Sequence, residues 1–265
     1  MNDSPDYAKK KAFFNRMLTV YGRKPVLESL LDEGLQVHAL HLAQSNKPAR
    51  ILTDILEKAQ SRDVAVSYHD RAALARISKN GKQDQGVALD IVCPGFQDLD
   101  DFLGQNSTGR LLALDGITNP QNLGMIVRSA TAGAIDGILL PKQGTAALGP
   151  LVIKASAGTL YRAPILRCDS LAPALERCRE QGAEICTLDA AAPTSLFEHR
   201  GNNFCIYVLG NESDGVSPAV TAMAHTRLGI PMRGGVESLN VAATASLVAF
   251  AGDLAGAYPD NYLDK

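Results

Sequence analysis

Residues 110–140 read RLLALDGITNPQNLGMIVRSATAGAIDGILL, and this stretch decides the fold. Arg110–Leu114 is a short unbroken apolar run, the pattern of a parallel strand buried on both faces. Asp115 to Asn122 is dense in turn formers, with Asp-Gly and Asn-Pro pairs. Apolar residues then return at helical spacing from about Asn122 to Ala134, and Gly137–Leu140 is a second apolar strand.

The alternation continues outward in both directions. Strands are predicted at Glu184–Leu188, Phe204–Leu209 and Arg227–Ile230, with helices around Leu171–Gln181 and Ala219–Ala224 and a long apolar helix over about Leu239–Ala255. Strands alternating with helices predict a parallel sheet covered on both faces. Upstream, strands at Val37–Leu42, Val64–Tyr68 and Gly86–Val92 alternate with helical patterns at Ala49–Ser61 and Ala72–Ile77, predicting a smaller α/β unit. The polar run from Pro94-Gly95 to Gly109, with Asp98, Asp100 and Asp101, marks a boundary. The expected organisation is a flexible basic tail (1–18), a small domain (19–94), a linker (95–109) and a large domain (110–265).

Composition excludes several classes. The chain has 265 residues, 46% of them hydrophobic and 20% charged, values ordinary for a globular protein. No apolar run reaches the roughly 20 residues a membrane span requires, and the start lacks the apolar core of a secretory signal. Five cysteines without a C-x-x-C pair suit a reduced, cytoplasmic compartment. His38 and His41 stand close together without a nearby Cys or carboxylate in sequence, so they read as partly exposed strand residues and no metal is expected. The net charge of −2 gives no global basic excess. Base is concentrated early, at Lys9, Lys10, Lys11, Arg16, Arg23 and Lys24, as a solvated tail or as phosphate contacts.

Three strand-following loops carry the chemistry, because ligands of open parallel sheets bind beyond the carboxyl ends of strands. The first runs from Asp115 through Asn119-Pro120-Gln121-Asn122 toward Arg128. An Asn helix cap explains its start. Arg128 is an expensive residue on a helix otherwise made of small and apolar side chains, and its spacing is read as letting it and Asn122 both face the strand end. The second loop is Leu209-Gly210-Asn211-Glu212-Ser213-Asp214-Gly215, an ordinary polar turn or a site. The third joins Ile230-Pro231-Met232 to Gly234-Gly235 and Ser238-Leu239-Asn240-Val241-Ala242. Ser238 is the expected cap of the following helix, which leaves Asn240 unexplained. The chain has neither G-x-G-x-x-G nor a P-loop signature, which disfavours a dinucleotide enzyme and nucleotide hydrolysis.

Together these loops resemble the SpoU (TrmH-like) family of ribose 2′-O-methyltransferases, of the SPOUT class. Its three motifs look like Asn122 to Arg128, Gly210-Asn211-Glu212 with Gly215, and Ile230-Pro231-Met232 with Ser238 to Ala242. The early segments Tyr21-Gly22-Arg23-Lys24-Pro25-Val26 and Gln85-Gly86-Val87 resemble the substrate-binding domain often attached to this family, although Asp84 stands where His is frequent.

The resemblance implies a knotted (trefoil) parallel-sheet domain preceded by a small α/β substrate-binding domain. It further implies S-adenosylmethionine as cofactor, RNA as partner and a homodimer whose two chains shape each site. The implied catalytic set is Arg128, Asn122, Glu212, Ser238 and Asn240, with Arg128 as a transient base or as a cation for the developing alkoxide. Leu209, Gly210, Asn211, Ile230, Met232, Ser238, Leu239 and Asn240 are expected to line the cofactor pocket, and Arg23, Lys24 and Arg128 to touch RNA. Ribosomal RNA is favoured over transfer RNA because of the extra domain; a catalytically idle RNA binder is the alternative. The terminal helix supports the dimer independently, since Val241, Ala242, Leu247, Val248, Phe250 and Leu254 extend beyond one face.

Overall fold

The computed structural model describes residue 10 and residues 13–257, with side chains to 251. Most of the expected basic tail, including Lys9 and Lys11, and the side chain of Leu254 lie outside the described residues. The chain divides into two units: residues up to Pro94 with Leu148–Pro150, and Gly95–Ala147 with the remainder from Leu151.

In the first unit β1 (Met17–Tyr21), β2 (Gln36–Ala43), β3 (Ala65–His69) and β4 (Val87–Val92) form a sheet in the order β1-β4-β2-β3. The β2–β3 pair is parallel, while β1 and β2 both run antiparallel to β4. Helices α1 (Arg23–Leu31), α2 (Arg50–Ser61) and α3 (Arg71–Ser78) connect the strands. Asp70 caps α3 by accepting from the Ala73 N–H at 2.7 Å. β1 takes in the end of the expected tail, since Met17 pairs with Val92.

His38 is exposed and His41 half-buried, as expected of strand residues. The missing carboxylate, however, is supplied across the sheet. Asp90 on β4 lies 3.1 Å from His41 Nε2 and accepts from Thr19 Oγ1 at 2.6 Å, while His41 Nδ1 lies 3.0 Å from His69 Nε2.

The second unit is an eight-stranded, wholly parallel sheet: β5 (Gln97–Asp98), β6 (Gly109–Leu114), β7 (Gly137–Pro141), β8 (Ile165–Cys168), β9 (Glu184–Leu188), β10 (Thr194–Ser195), β11 (Phe204–Leu209) and β12 (Thr226–Gly229). Their order is β10-β12-β9-β11-β6-β7-β8-β5. Along the chain run α4 (Leu99–Leu103), α5 (Pro120–Ala132), α6 (Pro150–Ala155), α7 (Leu171–Glu180), α8 (Pro218–Thr221) and α9 (Val241–Ala257). Every residue of β11 is buried, as a parallel strand covered on both faces requires.

The stretch expected to be a linker, 95–109, is built into this unit. It contains β5 and α4, and Phe96, Leu99, Phe102 and Leu103 are buried in its core. The acidic surface residues concealed an apolar face. α5 packs tightly on α6, where a Cβ on Gly124 would stand 2.4 Å from Ala155 Cβ. It also meets α9 through a 2.7 Å hydrogen bond between the Ser129 and Ser246 hydroxyls.

Candidate functional site

The three loops converge at the carboxyl edge of the large sheet. β11 ends at Leu209, and Gly210 turns the chain so sharply that a Cβ there would lie 2.1 Å from the Gly215 carbonyl carbon. Only glycine fits so close a backbone approach. Asn211 and Gly215 close the loop with a reciprocal pair of 2.9 Å backbone hydrogen bonds. The Asn211 side chain accepts from the Ser213 N–H at 2.6 Å, which projects Glu212 outward from the turn. The Asp115 carboxylate accepts from the Ser217 N–H at 2.7 Å and ties the first loop to the second.

Glu212 joins the loops. Its Oε1 accepts from Asn122 Nδ2 at 2.7 Å and from Asn240 Nδ2 at 2.8 Å, while Asn240 Nδ2 also reaches Asn122 Oδ1 at 3.2 Å. Asn122 is buried, so a lost partner there would leave an unsatisfied amide. One residue from each motif thus forms a closed polar triad. Asn119 caps α5, accepting from the Gln121 and Asn122 N–H groups, and so sets Asn122 on the first helical turn.

Two expectations are corrected. Asn240, rather than Ser238, caps α9: its Oδ1 accepts from the Ala242 N–H at 2.9 Å and its carbonyl from the Thr244 N–H at 3.0 Å. Ser238 lines the cavity, where it was also expected. Arg128 is exposed on α5 and stands outside both the triad and the cavity lining of its own chain. Six residues correspond to about 600° of helix, which leaves Arg128 roughly 120° around the axis from Asn122.

The cavity beside the triad measures about 430 Å³, within the range of small-molecule sites. Leu209, Gly210, Asn211, Ile230, Met232, Leu239 and Asn240 line it, as expected. Leu188 to Ala190, Val216, Leu228, Glu237 and Thr244 line it as well and were not anticipated. The signal for Leu188 was available, since it ends a strand on the same sheet edge. Apolar walls from Leu209, Leu228, Ile230 and Met232 with a rim from Ser238, Glu212 and Asn240 suit a flat heterocycle carrying a polar ribose and amino-acid tail.

In the first unit a separate open groove is lined by Arg23, Lys47, Arg71, Ser45, Asn46 and Gln85. Gln85 fixes Arg23, whose N–H donates to Gln85 Oε1 at 3.0 Å and whose Nε donates to the Gln85 carbonyl at 3.2 Å. Lys24 does not line the groove. Asp84 is buried and accepts from the Gly86 N–H at 2.9 Å and Ser78 Oγ at 3.0 Å, a turn-fixing role that explains a carboxylate at this place.

Residues 109–250 match the SpoU rRNA Methylase family, and residues 19–94 match the RNA 2′-O ribose methyltransferase substrate-binding domain.

The chain belongs to the SpoU methylase family.

A relative in Mycolicibacterium vanbaalenii, described as an uncharacterized tRNA/rRNA methyltransferase, is 34% identical over 86% of this chain and 74% of its own length. One in Mycobacterium leprae with a like description is 35% identical over 87% and 75%. Among solved structures, a TrmH-family chain from Porphyromonas gingivalis has a TM-score of 0.58 at 27% identity, covering 93% of this chain and 91% of that one. The SpoU methyltransferase of Streptomyces viridochromogenes, crystallised with AdoMet, shares the fold with a TM-score of 0.59 at 19% identity, covering 94% and 92%. The fold is that of a SPOUT methyltransferase, preceded in sequence by a small α/β domain.

Proposed function

We propose that this SpoU member transfers a methyl group from S-adenosylmethionine to a ribose 2′-hydroxyl of ribosomal RNA, working as a homodimer. The observation that carries this reading is the Asn122–Glu212–Asn240 triad beside the 430 Å³ cavity, one residue from each of the three motifs. Leu209, Ile230, Met232 and Leu239 would hold the adenosine, and Gly210 would admit close backbone approach. When bound, S-adenosylmethionine supplies a methyl carried on a positive sulfur.

The chain's own residues do the positioning. Glu212 locks the first and third loops together, and Ser238 faces the cavity as a hydrogen-bond donor to the ribose or cofactor. The knot implied by the family resemblance would be formed by the 210–215 and 230–240 loops, which meet at one sheet edge.

Arg128 acts on the partner's site. Met125, three residues before it on α5, and Phe250 on the neighbouring α9 are exposed apolar side chains, which supports a two-fold interface on these helices. A guanidinium stays protonated at working pH, so it stabilises the oxygen's developing charge while phosphate or water accepts the proton. The basic groove of the first unit holds RNA phosphates, with Arg23 preset by Gln85.

The test is transfer of labelled methyl to total RNA, fractionated afterwards. Label in ribosomal RNA is the expected result. A protein that binds the cofactor yet labels only transfer RNA refutes the substrate assignment, and one that labels neither refutes the activity.

A further inference from the structure

A second polar cluster lies near the amino ends of β9 and β11, away from the loops of the proposed reaction. Cys186 and Cys205 are buried, and their Sγ atoms stand 3.7 Å apart. His199 turns Nε2 to within 3.8 Å of Cys186 Sγ and 3.2 Å of Glu184 Oε1. The donor atoms of Cys186, His199 and Cys205 all fall within 4.8 Å of one another.

We propose that Cys186, Cys205 and His199, with Glu184 in the fourth position, form a structural zinc site that pins the 196–203 loop to the sheet.

The distances are those of a coordination shell. Zn–S bonds of about 2.3 Å and Zn–N or Zn–O bonds of about 2.0–2.1 Å in a tetrahedron set the sulfurs about 3.8 Å apart, sulfur and nitrogen about 3.6 Å, and nitrogen and oxygen about 3.3 Å. The observed 3.7, 3.8 and 3.2 Å separations match three of these edges; Cys186, His199 and Cys205 lie within 4.8 Å of one another, and closing the shell draws Glu184 toward the thiols. Two thiolates with an imidazole are soft and borderline ligands that favour zinc over magnesium or calcium.

The surroundings hold the ligands as a metal site does. The Tyr207 hydroxyl lies 3.5 Å from His199 Nδ1 and directs Nε2 inward. Glu184 is oriented by Thr226 Oγ1 at 2.8 Å and by the Asn202 N–H at 3.0 Å, and its place in the shell replaces its hydrogen bond to His199. Gly201, at φ +56°, lets the loop close over the cluster; a Cβ there would meet His199 Cε1 at 3.1 Å and Cys205 Sγ at 3.4 Å.

A disulfide is the competing use of two close thiols, and strand register opposes it. Cys205 pairs with Glu184 and Cys186 with Tyr207, so the cysteines are diagonal neighbours two residues out of step. A two-residue offset with the ordinary strand spacing separates their Cα atoms by about 8 Å. Disulfides rarely exceed about 7 Å.

The test uses the full chain, stripped of metal under reducing conditions and titrated with cobalt(II) as a spectroscopic probe. One cobalt per chain is expected, with a thiolate charge-transfer band and the intense visible bands of tetrahedral cobalt, both abolished by zinc. Zinc should also raise the melting temperature. Cys205→Ser and His199→Gln should each weaken zinc binding at least about tenfold. Cys168→Ser, a buried thiol elsewhere that burial pushes up to about 11, should leave it unchanged. If Cys205→Ser does not fold, His199→Gln on the surface loop decides. Weak octahedral cobalt spectra, wild-type zinc affinity in His199→Gln, or a Cys186–Cys205 disulfide in the purified protein would overturn the proposal.

Discussion

The two ends of the eight-stranded sheet carry polar clusters of opposite character. At the carboxyl end, two amides and a carboxylate from three loops border an open cavity. At the amino end, two thiols, an imidazole and a carboxylate lie packed beneath a single loop. The first arrangement leaves room for a ligand and spends its hydrogen bonds on tying the loops together. The second is crowded, and its donors point at one another. The difference separates a cluster open to a ligand from one where the chain packs against itself, within one sheet and without any change of fold.

The largest test of that division is Arg128→Ala. Single-turnover methyl transfer should fall by at least about 100-fold, a barrier increase of about 2.7 kcal/mol. Cofactor affinity measured by calorimetry should stay within about threefold, and Arg128→Lys should recover little, because an ammonium lacks the planar fork. Mixing Arg128→Ala chains with Glu212→Ala chains sharpens the claim, since mixed dimers regain a complete site only if Arg128 serves its partner.

Glu212→Ala should rank next. It strands the buried Asn122 amide, costing about 1–3 kcal/mol, and transfer should slow by about 10–100-fold as the loops lose register. Equal rates would show that the triad merely decorates the sheet edge. In the first unit, Arg23→Ala combined with Arg71→Ala should weaken RNA binding by about tenfold and lower the salt slope by about one to two. Cofactor binding should be untouched.

Two smaller effects complete the comparison. His199→Gln should change the transfer rate by less than about twofold while lowering the melting temperature in zinc. A large rate loss would join the two ends functionally. Burial alone would raise the Asp90 carboxyl, but hydrogen bonds from His41 and Thr19 outweigh it and hold the group below the usual range. Its stabilisation is therefore full above the ordinary Asp value of about 3.9 and fades as pH falls through the lowered folded-state value. Asp90→Asn should flatten the acid dependence of unfolding in that window, measured by circular dichroism.

The alternation of strands and helices, and the residues of the triad, were legible because local pattern sets both. A buried parallel strand announces itself by an unbroken apolar run; Glu212 follows one such run closely, while Asn122 and Asn240 stand where helices open after two further strands. The facing of Arg128 was legible but misread, because a six-residue step turns a helix by about 600° and by itself puts the two side chains on different sides. The choice between Ser238 and Asn240 as cap was hidden, since both residue types cap equally well. Residues 95–109 misled because Asp100 and Asp101 face water while Phe96, Leu99 and Phe102 face the core. The thiol cluster carried only a weak local trace. Cys186 stands 13 residues before His199 and 19 before Cys205, without a C-x-x-C pair, and the three meet through the β9–β11 register and the loop between the strands.

The central claim is that the carboxyl-end site methylates a ribose oxygen, and product chemistry tests it most directly. RNA carrying label from the methyl donor should be digested in alkali. A methylated 2′-oxygen cannot attack the adjacent phosphate, so the account predicts label in alkali-stable dinucleotides, absent with Arg128→Ala. Label released in ordinary mononucleotides would place the methyl on a base and contradict it.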